Sequence, residues 1–132
     1  MRQYRPLQHR LIAHAIIELI HLIKVISLRA MEKRKPHYKL SEVQGLVADP
    51  ASQPFTVTAL RNGLALGLTE PEMRQVVLKL SRRDFYKAMT SHADHQVWQD
   101  VYHGMTEDGI VVYIKVTGFA GGRPPVIQFK AK

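Results

Sequence analysis

The residues of this chain that could do chemistry are concentrated between Ser81 and Tyr113. The segment 81–102, SRRDFYKAMTSHADHQVWQDVY, contains arginine, lysine, histidine and tyrosine, and VYIKVT follows shortly after it. Side chains of these types can take up a proton, release a proton or neutralise the charge of a phosphate. The chain has no P-loop, no G-x-S-x-G elbow, no HExxH motif and no carboxylate cluster suited to magnesium. These residues therefore suit acid–base chemistry that does not need a metal.

The same segment resembles one protein family in the order of its residues. The sequences DFYKAMTSHADHQVWQDVY, MEKRKPHYKL from Met31, YIKVT and the final FKAK are similar to the motility quorum-sensing regulator (MqsR) family, small bacterial toxins that cleave messenger RNA. The resemblance covers residues 31–132. It implies the toxin of a type II toxin–antitoxin system, which is cytoplasmic, needs no cofactor and has a cognate antitoxin and mRNA as its partners. It also implies roles in stress, biofilm formation, quorum sensing and motility.

The resemblance places the catalytic site at Lys87, Gln99 and Tyr113, which lie in DFYKAM, VWQDVY and VYIKVT. The expected enzyme is a sequence-specific endoribonuclease that blocks translation. In the metal-independent route to RNA cleavage, the 2′-hydroxyl of the RNA attacks the adjacent phosphate, leaving a cyclic phosphate and a 5′-hydroxyl. That reaction needs a base, an acid and a cation. Side chains of Lys, Arg, His, Tyr and Gln can supply all three.

The residues themselves leave simpler explanations open. Lys87 could be a solvated lysine, and Tyr113 could be a half-buried tyrosine of a sheet. Gln99 lies between Val97 and Val101 on one strand face, where an amide needs a hydrogen-bond partner. Asp100 then points toward the core, where its carboxylate must find donors, so we interpret it as structural.

Several neighbouring residues are auxiliary candidates. His95 could assist in acid–base catalysis, and the case for His92 and His103 is weaker. Met89 could line the pocket, although core packing explains it as well. Arg82 and Arg83 could bind the RNA backbone, or could simply be exposed at the first turn of a helix.

Composition is typical of a basic, single-domain globular protein. A chain of 132 residues can bury a modest core, and a hydrophobic content of 45% argues against disorder. The formal net charge of +8 suits a polyanion such as RNA, although basic domains without such a partner are common. The absence of cysteine excludes disulfides, thiolate nucleophiles and zinc knuckles, and is compatible with the cytoplasm.

Residues 1–30 differ in composition from the rest. The stretch 11–28 is largely aliphatic, and its polar residues His14, Glu18, His21 and Lys24 recur at helical spacing. This pattern predicts an amphipathic helix. The charges argue against a membrane span or a signal peptide, and a polar stripe needs no metal to explain its histidines.

We therefore divide the chain into an N-terminal extension, 1–30, and an MqsR-like domain, 31–132. Three explanations of the extension stay open. The start codon could be misassigned, with Met31 as the true start. The helix could dock on the body or on a partner, or it could anchor the protein at a membrane surface, although membrane association is not expected.

The order of patterns predicts an α+β fold, with helices followed by an antiparallel sheet. The resemblance makes this fold similar to that of RelE-like toxins. Predicted helices span about 41–47, 57–66, 70–80 and 81–89, and predicted strands span about 97–103, 110–117 and 126–130. Helical spacing places Val57, Leu60 and Leu64 on one face of the second helix and buries Met73, Val76, Val77 and Leu80 of the third. In the second strand, one face carries Ile110, Val112, Ile114 and Val116, and the other carries Val111, Tyr113, Lys115 and Thr117. Caps are predicted at Ser41, Thr69 and Ser81, and a turn at Asp108-Gly109.

A rival hypothesis is a non-catalytic module, either a degenerate toxin or a basic regulator that binds RNA or protein. The two hypotheses differ in what Lys87→Ala and Tyr113→Phe would do. A toxin would lose growth arrest while it remained folded, whereas a binding module would not.

Overall fold

The computed structural model describes residues 5–29, 31–91, 96–118 and 126–132. The backbone divides into two compact units, Met1–Met31 and Glu32–Lys132. The first unit contains helix α1, Arg5–Arg29. Taken by itself, α1 buries none of its side chains between His9 and Ile23, and the polar pair His14 and Glu18 lies 3.7 Å apart.

The second unit begins with a two-residue strand, β1, and continues with three short helices. Their bounds are β1 Glu32–Lys33, α2 Leu40–Ala48, α3 Val57–Ala65 and α4 Glu70–Leu78. The predicted cap of α4 is confirmed, since Thr69 and Glu72 exchange the two hydrogen bonds of a capping box. The predicted cap of α2 is wrong, because α2 begins at Leu40 and Lys39 precedes it without a side-chain hydrogen bond.

Four longer strands complete an antiparallel sheet whose spatial order follows the chain, β1-β2-β3-β4-β5. Their bounds are β2 Phe85–Thr90, β3 Trp98–Met105, β4 Val111–Thr117 and β5 Val126–Ala131. Helices followed by an antiparallel sheet confirm the predicted α+β class. The turn at Asp108-Gly109 is also confirmed, with φ of +80° at Gly109.

The core lies between the three helices and one face of the sheet. Met73, Val76 and Val77 of α4 are buried there as their spacing predicts, against Ile114 and Phe129 of the sheet. In β4 the buried residues alternate with half-exposed ones, as predicted from the sequence. We call the helix-covered side the core face and the opposite side the outer face.

Helix α3 turns its small residues inward. Val57, Leu60 and Leu64 share a face as predicted, but that face is exposed, and the buried positions are Ala59 and Gly63. A Cβ at Gly63 would lie 2.3 Å from the sulfur of Met73. The larger side chains face outward because the helix approaches its neighbours so closely.

The prediction of a helix over 81–89 is wrong. The reciprocal hydrogen bonds between Ser81 and Asp84 are present, but they begin only a 3-10 turn, Arg82–Asp84. The chain then becomes strand β2, because Phe85 and Thr90 pair with residues of β3. A capping signal specifies where a turn begins, and it does not specify that a helix follows. Here the ladder to β3 overrides the local signal.

Candidate active site on the outer face of the sheet

Antiparallel register brings the three predicted catalytic residues to the outer face. Lys87 lies opposite Val101 of β3, and Val101 lies opposite Lys115 of β4. Gln99 is two residues from Val101 along β3, and Tyr113 is two residues from Lys115 along β4. Because side chains two residues apart in a strand share a face, all these side chains project from the same side of the sheet.

A bulge in β2 adds an aromatic ring to this face. The register shifts between Phe85 and Lys87, so that Tyr86 is an extra residue without a partner in the ladder. Its ring stacks on His103 of β3 with the ring centres 4.7 Å apart. His103 in turn lies 5.8 Å from the ring of Tyr113. Three rings from three strands therefore form a row across the outer face.

Lys87 is held by a carboxylate from β1. Its Nζ lies 2.7 Å from Oε1 of Glu32 and 5.6 Å from the centre of the Tyr86 ring. The hydrogen bond that the Lys87 ammonium donates to the Glu32 carboxylate raises the pKa of Lys87, and partial burial opposes that effect. Lys87 therefore remains a cation at neutral pH.

Gln99 has the partner that its position requires. Its Nε2 donates to Oγ1 of Thr117, 3.1 Å away across the β3–β4 ladder. Its side chain is nearly buried, unlike most of the outer face. The amide is thus oriented by the neighbouring strand rather than by solvent.

Tyr113 is half-buried among cations. Its ring centre lies 5.2 Å from Nζ of Lys130 and 5.9 Å from Nζ of Lys115. Burial raises the pKa of the Tyr113 hydroxyl, against the opposing effect of the Lys87 charge. The hydroxyl therefore keeps its proton at neutral pH and can donate it.

Lys87, Lys115 and Lys130 form a cluster of positive charge around this ring. Burial lowers the pKa of Lys115, and the charges of Lys130 and Lys87 add to the effect. Mutual repulsion of this kind favours an anion at the site. Beside the cluster, a groove of about 330 Å³ runs toward α3. The groove is lined by Thr56, Thr58, Ala59, Asn62, Tyr113, Lys115, Gln128, Phe129 and Lys130.

His103 is better placed than the sequence indicated. It lies between the rings of Tyr86 and Tyr113. Burial lowers the pKa of His103, and the charge of Lys132 lowers it further, so the imidazole is neutral near pH 7. Met89 also lies on the outer face, opposite Gln99, and the core-packing explanation of Met89 is wrong.

Arg82 and Arg83 do not join this cluster. Arg82 lies over the ring of Phe85 at 5.2 Å and lines a separate basic groove with Lys35 and Tyr102. Arg83 is exposed on the 3-10 turn. His92 and His95 lie outside the described residues. Within the ranges that the structure covers, no three His, Cys, Asp or Glu side chains lie close enough to hold a metal ion.

Asp100, on the core face of β3, finds the donors that its burial demands. Its two carboxylate oxygens accept hydrogen bonds from the backbone N–H groups of His37 and Tyr38, each at 2.8 Å. Burial raises the pKa of Asp100, and the two backbone hydrogen bonds oppose that effect. The expectation that Asp100 is structural agrees with these contacts.

Glu32, Lys115 and Lys130 were missed by sequence reasoning. Lys115 was assigned to the correct strand face, but no role was inferred from it. Glu32 is 55 residues from its partner Lys87, and no local motif links the two. Only strand pairing brings them together.

Comparison with known proteins decides the family. The family model described as "Motility quorum-sensing regulator, toxin of MqsA" matches residues 35–131. The chain belongs to this family. An MqsR-family relative, the "mRNA interferase toxin MqsR" of Escherichia coli (strain K12), is 46% identical over 87 residues, which cover 66% of this chain and 87% of the relative. The resemblance inferred from the sequence is therefore confirmed.

The region that matches the MqsR family model contains Lys87, Gln99 and Tyr113. Helix α1 and Glu32 precede this region and lie outside it. Among the described residues, no helix has the length and apolar character needed to cross a membrane.

Proposed function

We propose that this chain is the toxin of a type II toxin–antitoxin system and an endoribonuclease that cleaves mRNA and thereby inhibits translation. Membership of the MqsR family supports this assignment, as does the similarity to the mRNA interferase toxin of Escherichia coli. The observation that carries the assignment to specific residues is the register of β2, β3 and β4. It gathers Lys87, Gln99 and Tyr113 on one face that is rich in lysine.

The proposed reaction is an attack of the RNA's own 2′-hydroxyl on the neighbouring phosphate, without a metal. The 2′-oxygen forms a bond to phosphorus while the bond from phosphorus to the 5′-oxygen breaks. Lys87, with Lys115 and Lys130, would neutralise the charge that accumulates on the phosphate. Tyr113 would donate its proton to the leaving oxygen, and the Gln99 amide would orient the phosphate.

A single-stranded RNA substrate suits the shape and chemistry of the outer face. The ring of Tyr86 is about half-exposed and could stack on a base. The groove beside Tyr113 offers hydroxyl and amide groups from Thr58 and Asn62 for a neighbouring nucleotide. We assign sequence specificity to these flanking groups. Arg82 and Arg83 would bind more distant phosphates, and His95 and Met89 remain auxiliary candidates.

The proposed partners are mRNA and a cognate antitoxin. A toxin that acts on mRNA would work in the cytoplasm, with consequences for stress, biofilm formation, motility and quorum sensing. No small-molecule cofactor enters the proposal, because Lys, Tyr and Gln side chains cover the chemical roles that the reaction needs.

Controlled expression followed by mapping of RNA 5′ ends tests this proposal. We expect the wild-type chain to arrest growth and to create 5′-hydroxyl ends at one short sequence. The double variant Lys87→Ala/Tyr113→Phe should abolish both effects. Lys79→Ala is the matched control, since Lys79 is an exposed lysine that lies 3.5 Å from Glu107 and away from the site. Growth arrest with intact RNA would instead favour a non-catalytic protein that binds RNA or another protein.

A further inference from the structure

Glu32 carries a carboxylate to the outer face at the edge of the sheet. It pairs with Met89 in the β1–β2 ladder, and one oxygen lies 2.7 Å from the Lys87 ammonium. The side chain is 52% exposed. Its second oxygen has no hydrogen-bond partner within the described parts of the chain. One oxygen is therefore fixed by Lys87, and the other remains available to a ligand.

The segment that carries Glu32 is anchored by more than its own short strand. Asp100 accepts the backbone N–H groups of His37 and Tyr38. The hydroxyl of Tyr38 donates to the carbonyl of Trp98 at 2.7 Å and accepts from the N–H of Gly118 at 2.9 Å. These bonds tie residues just after β1 to β3 and to the end of β4. They position Glu32 although β1 has only two residues.

A small cavity opens beside this ion pair. It has a volume of about 110 Å³ and is lined by Glu32, Lys33, Arg34, Tyr86 and Lys87. The lining combines the Glu32 carboxylate with the Lys87 ammonium. Such a pair suits RNA, because the cation can bind the phosphate while the carboxylate accepts a proton from the adjacent hydroxyl. The Lys33 ammonium contacts the Trp98 ring at 4.1 Å, so Lys87 is the cation that directly faces Glu32.

Two of the other groups near the site, Lys87 and Tyr113, are protonated at neutral pH and cannot accept a proton. Lys87 is held as an ammonium by Glu32, and Tyr113 keeps its proton because of burial. The imidazole of His103 is neutral but is packed between two rings. The described strands carry two carboxylates, Glu32 and Asp100, and Asp100 lies on the core face with both oxygens occupied.

We propose that Glu32 is the general base of the cleavage reaction, accepting the proton of the attacking 2′-hydroxyl. This inference rests on the proposed function. As the 2′-oxygen–phosphorus bond forms, that proton passes to the Glu32 carboxylate. As the bond to the 5′-oxygen breaks, the leaving oxygen takes the Tyr113 proton. Exchange with water returns both side chains to their starting states, so neither oxidant nor co-reactant is needed.

The test compares Glu32→Gln with the wild type on a short RNA that contains the mapped cleavage sequence. Glutamine keeps the size of the side chain and can still contact Lys87, but it is not a proton acceptor. We expect the cleavage rate to fall about 100-fold or more, and the acidic limb of the pH–rate profile to disappear. Binding of the same RNA with a 2′-deoxy nucleotide at the cleaved position should change less than about threefold, as expected for a loss in the chemical step.

An RNA with sulfur in place of the bridging 5′-oxygen distinguishes a variant that lacks the general base from one that lacks the general acid. Thiolate is a good leaving group that needs no proton, so this RNA should restore cleavage by Tyr113→Phe and not by Glu32→Gln. Glu32→Asp, which keeps a carboxylate, should retain the acidic limb even if its rate is lower.

Several outcomes would overturn the assignment of Glu32. They are cleavage by Glu32→Gln within about threefold of wild type, an acidic limb retained in that variant, or rescue of it by the sulfur substrate. If Lys87→Ala is inactive while Glu32→Gln is active, the proposed function stands and the base lies elsewhere. If the wild-type chain cleaves no RNA, the proposed function itself fails.

Discussion

The two faces of the sheet use the same strands for different purposes. On the core face of β3 and β4, Tyr102 and Ile114 are buried and pack against helices. Asp100, the charged residue of that face, has both oxygens satisfied by backbone N–H groups. On the outer face, Lys115 and His103 are half-buried beside other titratable groups. The Asp100 carboxylate on the core face is therefore fully used in holding the structure, whereas the Glu32 and Lys115 side chains on the outer face remain partly open to a ligand.

We expect substitutions on the outer face to lower RNA cleavage and substitutions on the core face to lower stability. Substitution of Lys87 should have the largest effect on cleavage. Lys87→Ala should lower RNA cleavage by about 100-fold to 1000-fold, as is typical when one stabilising group is lost from a transition state. The free energy of unfolding should change by less than about 1 kcal/mol, since the ion pair is near the surface. Kinetic assays and urea unfolding curves measure the two effects.

The matched substitution on the core face is Met73→Ala. Met73 is 1% exposed and lies in the hydrophobic core, away from the groove beside Tyr113, so we expect a loss of about 2–5 kcal/mol in unfolding free energy. The cleavage rate per folded molecule should stay near the wild-type value. A large fall in that rate without a change in stability would break the separation of the two faces.

Asp100 links the two faces, because it lies on the core face and anchors the segment that carries Glu32 on the outer face. Asp100→Asn replaces an acceptor by an amide that cannot accept both backbone N–H groups, at a cost of about 1–3 kcal/mol. Cleavage should also fall, by about tenfold, because a loosened segment misplaces Glu32. Asp49→Asn is the control, since Asp49 accepts a hydrogen bond at an exposed turn. Unchanged cleavage by folded Asp100→Asn would show that the anchoring of β1 does not matter to the site.

The smallest expected effect is a dependence of stability on pH. Burial lowers the pKa values of His37 and His103 below the ordinary value of 6.5. Between the folded and unfolded pKa values, the unfolded chain binds more protons, so stability rises with pH and is lost as pH falls. The unfolding free energy should therefore decrease from pH 7 to pH 5. The decrease should be smaller in His37→Asn/His103→Asn, and an equal decrease in that variant would contradict the assignment.

The sequence was sufficient to predict those elements whose signal lies within a few neighbouring residues. The alternation in β4 and the capping box at Thr69 predicted the correct faces and helix start. Local reasoning failed at 85–90, because pairing with β3 converts a segment with a helix signal into a strand. For α3 the sequence predicted the shared face of Val57, Leu60 and Leu64, but not that close packing at Gly63 leaves this face exposed.

Prediction of the site also succeeded for local features and failed for contacts between residues distant in sequence. The need of Gln99 and Asp100 for partners was predictable from their positions in a strand, but the partners were not. Asp100 binds backbone groups more than 60 residues away, and any backbone segment could have supplied them. Glu32 was missed for this reason, since β1 has no strand pattern of its own and is defined by its pairing with β2.

We propose that the outer face promotes attack by the RNA's own 2′-hydroxyl without a metal. The most direct measurement compares cleavage of two RNAs by the purified chain in the presence of a chelator. One is unmodified, and the other lacks only the 2′-hydroxyl next to the cleaved bond. We predict that the first is cut to a cyclic phosphate and a 5′-hydroxyl while the second remains intact. Equal cleavage of both RNAs would contradict attack by the 2′-hydroxyl, and loss of cleavage on chelation would contradict a reaction without a metal.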